Sequence, residues 1–98
     1  MADTVKPQTP DRIKITLDRP VDMDGAQVSV LHMRRGKVRD QIAAQRQANN
    51  DPAMTEVCMF ALLCEIAPSN LEDMDLADYE KLRETFAGFR TGLSPKKS

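Results

Sequence analysis

The sequence predicts a single small α+β domain, an N-terminal β-hairpin followed by three α-helices. Three observations carry that prediction. Apolar residues alternate with polar ones from Ile13 to Leu17, the pair Asp24-Gly25 follows, and beyond Gly36 the apolar spacing changes to that of helices. A chain of 98 residues has room for one domain with one core.

The first strand is read from Ile13, Ile15 and Leu17, which alternate with Lys14 and Thr16 and mark a half-buried element. Asp24-Gly25 fits a type I′ turn, which needs positive φ at both central residues. Setting that pair at the turn places Val21 opposite Val28 and Leu17 opposite His32. Ile13, Ile15, Met23, Ala26 and Val30 then share their apolar face. Pro20 falls opposite Ser29 and has no N–H to give a ladder, so it belongs at an outer edge or a bulge.

Lys37 to Ala48 reads as a modestly amphipathic helix with Val38, Ile42 and Gln45 on its inward stripe and Ala43 and Ala44 alongside. Asn49, Asn50 and Asp51 interrupt it. Asp51-Pro52 is a helix start, an N-cap acceptor followed by proline at the first position. The helix from Pro52 to about Ala67 is apolar nearly all round and is expected to be the buried central element, ended by Pro68. Ser69-Asn-Leu-Glu72 reads as a capping box on a single short turn. Asp75 starts the last helix, whose apolar stripe is Leu76, Tyr79, Leu82, Phe86 and Phe89, with Glu80, Lys81, Arg83 and Glu84 on the wet side. The folded part is expected at residues 11–90. Residues 1–10 are expected to be a disordered arm and 91–98 a flexible basic tail.

Composition excludes several classes. Fourteen basic against fifteen acidic side chains give a formal charge of −1, no field for gathering nucleic acid or an anionic membrane. The start lacks an apolar signal-peptide region, and the run Val57 to Leu63 is too short to cross a bilayer. Cys58 and Cys64, six residues apart on one helix, lie about 9 Å apart, too far for a disulfide. Buried reduced thiols suit a cytosolic compartment.

No catalytic constellation emerges. His32 is the single histidine and is expected on the apolar strand face. One His and two diverging Cys make a poor metal set, and the acids Glu72, Asp73, Asp75 and Asp78 are explained by a helix start. The four glycines are scattered singly, so no phosphate loop is present. The basic run Arg34-Arg35-Gly36-Lys37-Val38-Arg39 has no interleaved aromatic for base stacking and reads as a solvated connection.

The features in order are similar to one family. Ile15-Thr-Leu17, Pro20-Val21, Asp24-Gly25 and Val30-Leu31-His-Met33-Arg34 lead to the apolar helix Cys58 to Ile66 and to Pro68 with Leu71. Met74-Asp75-Leu76-Ala-Asp78-Tyr79-Glu-Lys-Leu82 follows, closing on Phe86-Ala-Gly-Phe89. Across residues 13–89 this resembles the small tail assembly proteins of Mu-like, contractile-tailed phages, a branch of the phage tail assembly chaperones.

The resemblance implies a non-enzymatic protein without cofactors, acting in the host bacterial cytoplasm and absent from the mature virion. It implies binding to the tape measure protein, delivery of tail tube protein, and self-association into a homo-oligomer. It implies also a longer product made by −1 frameshifting, for which Pro95-Lys96-Lys97 can be encoded with a slippery run of A. The family fixes no contact residues. The candidates for partner binding are Phe86 and Phe89, at a helix end loosened by Gly88 and Gly92, with Tyr79 on the same stripe and Arg34 in the basic run. On that reading Phe89 matters more to binding than to folding.

Overall fold

The computed structural model describes residues 12–91. An antiparallel hairpin, β1 (Arg12–Met23) and β2 (Ala26–Arg34), precedes α1 (Val38–Gln47), α2 (Pro52–Cys64), α3 (Pro68–Glu72) and α4 (Leu76–Thr91). The α+β order is therefore the one expected, with the single turn near Ser69 extended to a five-residue helix that makes four helices of the three. The arm 1–10 and the frameshift tripeptide at residues 95–97 lie outside the described residues.

The turn is as its chemistry requires: Asp24 and Gly25 both have positive φ, 54° and 87°, and Asp22 Oδ1 accepts the Gly25 N–H at 2.9 Å. Next to it Val21 pairs with Val28, as expected. Beyond it the register differs, because the ladder is irregular between Thr16 and Val21, and Thr16 pairs with Val30. Four residues of β1, Leu17 to Pro20, thus stand against Ser29 alone. The bulge lies where Pro20 has no N–H to give.

This three-residue slip corrects the expected strand face. An odd slip turns side chains to the other side of a period-two strand. Ile15 now pairs with Leu31 and Ile13 with Met33, and Leu31 and Met33 are buried. His32 faces Lys14, not Leu17, and is exposed.

α2 is the central element, with Cys58, Met59, Phe60, Ala61, Leu63 and Cys64 buried. Asp51 Oδ1 caps it by accepting the Met54 N–H at 3.1 Å. Its end comes before Pro68. Glu65 adopts the left-handed conformation, φ 61°, and the N–H groups of Glu65 and Ile66 donate to the carbonyls of Leu62 and Ala61. Its carboxylate lies 3.2 Å from Arg12 Nη2 at the start of β1. Asn49 and Asn50 close α1 in the same left-handed region.

α1 also turns a different side inward than expected. Asp40, Ala44 and Ala48 are buried, spaced by four, while Val38 and Ile42 are 76% and 47% exposed. Two alanines let α1 approach α2 closely. Asp40 is tolerable there because Arg34 grips both its oxygens, each at 3.0 Å, and the Lys37 N–H adds a bond of 2.8 Å. In α4 the expected stripe holds from Tyr79 to Phe89 but not at Leu76, which is 82% exposed. The first inward position belongs instead to Asp78, which is fully buried. Its oxygens accept the N–H groups of Asp18 at 2.9 Å and Arg19 at 3.0 Å, the donors that the bulge removes from the ladder.

Candidate partner-binding surface

α1 packs on α2 and α4 on β1, and residues of all three helices line a groove. One hollow of about 210 Å³ is lined by Arg35, Gly36, Lys37, Val38, Gln41, Met59, Phe86 and Phe89. A second of about 290 Å³ shares Gln41, Met59 and Phe86 and continues to Pro52, Thr55, Glu56 and Phe60. The sequence builds this floor simply. Phe60 faces α4 and stacks tilted on Phe86 at 5.4 Å between centroids and on Tyr79 at 5.5 Å. Met59, the next residue, lines both hollows with Gln41 and Phe86.

Charge is distributed unevenly around the groove. At one end Arg35 lies 5.3 Å over the Phe89 ring, followed by Lys37 just before α1 and Arg39 in its first turn. Among the described residues no carboxylate lies within ion-pair distance of Arg35, Lys37, Arg39 or Arg46. Asp40 is the one acid between Arg34 and Asn50, and it is turned inward onto Arg34. At the other end Glu56 is already engaged. It accepts from the Tyr79 hydroxyl at 3.0 Å and from Arg83 at 3.1 and 3.2 Å. Burial, then the Glu56 carboxylate, push the Tyr79 phenol well above its usual range, so it stays a donor.

The four candidate residues separate accordingly. Phe86 and Phe89 do come together, on the groove floor. Phe89 is only 8% exposed, which corrects the expectation of a loosely covered helix end. Tyr79 supports the floor from behind through Phe60. Arg34 stands apart, bound to Asp40 where β2 passes into α1. The Asp40 carboxyl is held below the usual carboxylate range, by the Arg34 hydrogen bonds first and against the effect of burial.

Sequence reasoning missed Val38, Gln41 and Met59 as groove residues. The spacing of Asp40, Ala44 and Ala48 carried the signal, since small residues at intervals of four mark a close helix contact.

The two sheet edges also differ. Thr16 O on β1 accepts from Lys81 Nζ at 2.8 Å, Asp78 takes the next amides, and Pro20 follows. β2 from Ala26 to Met33 carries no Pro, Asp, Glu, Lys or Arg, and among the described residues it makes no hydrogen bond outside the hairpin. It is an unprotected edge.

Cys58 and Cys64 are buried free thiols, and burial raises the pKa of both, Cys64 to about 11. Among the described residues no three His, Cys, Asp or Glu side chains converge on a metal position, and no helix is long and apolar enough to cross a membrane. What the surface offers is an apolar trough with a basic rim, and a bare strand.

The family model described as phage tail assembly chaperone proteins, E, or 41 or 14, matches residues 14–90. No curated protein and no solved structure matches the chain significantly.

Proposed function

We propose that this chain, which belongs to the phage tail assembly chaperone family, binds the tape measure protein and keeps it soluble while the tail tube is built. On this reading the partner is a long polypeptide whose apolar helical faces need cover before the tube encloses them. The observation that carries the reading is the groove lined by Met59, Phe86 and Phe89, in which the Phe86 ring stays partly exposed. It offers anchoring pockets without catalytic groups, which fits a non-enzymatic holder.

Handing the tube subunit to the growing tail follows the same family role. The protein then works in the host bacterial cytoplasm and stays out of the finished particle. Self-association goes with this reading, supported by the bare edge of β2. Two copies placing their β2 strands side by side would form a four-stranded sheet and remove both open edges.

Affinity capture from cells co-expressing the chain with the tape measure and tube proteins of the same phage tests the reading. Recovery of the tape measure protein supports it. Retention of this chain in purified particles at stoichiometric amounts would instead make it a structural component of the tail or connector.

A further inference from the structure

We propose that the groove between α1 and α4 receives an acidic amphipathic helix, whose apolar side lies on Met59, Phe86 and Phe89 and whose carboxylates meet Lys37 and Arg39. The inference deepens the tape-measure reading and rests on it only for the source of that helix.

α1 itself carries an exposed apolar ridge. Val38 is 76% exposed and Ile42 is 47% exposed, four residues apart on one side of the helix. β-Branched residues are poor choices for a solvated helix surface, where Lys or Glu would cost less. Val38 and Gln41 form part of the wall of the first hollow, and Ile42 stands one turn beyond Val38 on the exposed side, outside the lining itself. The two hollows opposite share Gln41, Met59 and Phe86 and so run on from one another.

The charge part selects the partner. Arg35 and Lys37 line one end of the trough and Arg39 follows beside them, and among the described residues the acid near them is Asp40, already bound by Arg34. An unbalanced basic rim around an apolar floor complements a helix with acidic flanks and repels one with basic flanks. Nucleic acid would use the arginines, but would leave the apolar ridge and floor without a role. No exposed aromatic stands beside the basic run for bases to stack on.

The test uses the full chain and three fluorescent probes, read by anisotropy at low salt. They are an 18-residue amphipathic peptide with leucines on one side and glutamates on the other, its lysine counterpart, and a 24-nucleotide single-stranded DNA. The acidic peptide is expected to bind at least tenfold more tightly than the lysine peptide. Lys37→Glu with Arg39→Glu should cancel that preference without altering the melting temperature, as both side chains are exposed. Ile42→Glu should weaken the acidic peptide by about tenfold.

Equal binding of the two peptides, no binding of either, or an acidic-peptide affinity unchanged in all variants would overturn the proposal. Binding of the DNA alone would overturn it in favour of a phosphate surface. Tape measure capture that survives Lys37→Glu/Arg39→Glu and Ile42→Glu would refute the groove while leaving the chaperone reading standing. Peptide binding without tape measure capture would do the reverse.

Discussion

The carboxylate of Asp78 accepts the backbone N–H of Asp18 at 2.9 Å inside the core, tying the first turn of α4 to a bulge sixty residues earlier. Its second oxygen holds the next amide, from Arg19, and Lys81 bridges Asp78 and Asp18 at 3.3 Å from each. The hairpin is thereby fixed on the helices by a polar joint, and the edge of β1 is closed by it.

Asp78→Ala is therefore expected to be among the most costly single changes. It leaves two part-buried N–H groups without acceptors and should lose about 2–4 kcal/mol. Asp78→Asn keeps one acceptor oxygen and should lose less. Urea melts measure both. A loss below about 1 kcal/mol for Asp78→Ala would mean the bulge finds other partners.

Stability should fall steeply in acid. Burial raises the Asp78 pKa, but the amides of Asp18 and Arg19 and the Lys81 ammonium outweigh it, so the net shift is downward. Asp40 is shifted downward too, chiefly by Arg34. A carboxyl depressed in the folded state contributes stability above its unfolded pKa, about 3.9, and loses it as pH falls through the folded value. Melting temperature should thus be level near neutrality and drop below about pH 4. In Asp78→Asn the drop should be shallower, and an identical profile would remove Asp78 as its source.

Phe89 and Phe86 should separate in stability. Phe89 is buried with Leu82 and Met59 in the core cluster, so Phe89→Ala is expected to cost about 2–4 kcal/mol. Phe86, partly exposed on the groove floor, should cost less, with a larger fractional loss of partner capture. A Phe86→Ala variant that melts lower than Phe89→Ala would reverse this assignment.

Both thiols should be inert in the folded chain. At pH 8 a thiol with a pKa of about 11 is overwhelmingly protonated, and both sulfurs are buried. Ellman's reagent should therefore react only as fast as the chain unfolds. Immediate reaction of either cysteine in native buffer would contradict the burial.

The elements legible in the sequence were those whose signals are local. Asp24-Gly25 marked its turn, Asp51-Pro52 its helix start, and the apolar run at Cys58 its buried helix. What local pattern missed came from contacts distant in sequence. The slip at Pro20 depends on Asp78 accepting the amides that the bulge releases. Val38 and Ile42 look like core from their spacing, yet the paired Asp40 and the small Ala44 and Ala48 make the closer contact with α2. Leu76 lost its inward place to a carboxylate for the same reason. The groove was partly visible through Phe86 and Phe89, while its opposite wall followed from which side α1 turned.

The most direct test of the chaperone account is the soluble fraction of the tape measure protein after ultracentrifugation of cells expressing it alone, with the wild-type chain, or with Ile42→Glu. The account predicts a tape measure that sediments alone, stays in the supernatant with the wild-type chain, and sediments again with a folded Ile42→Glu. A tape measure equally insoluble with and without the wild-type chain would contradict it.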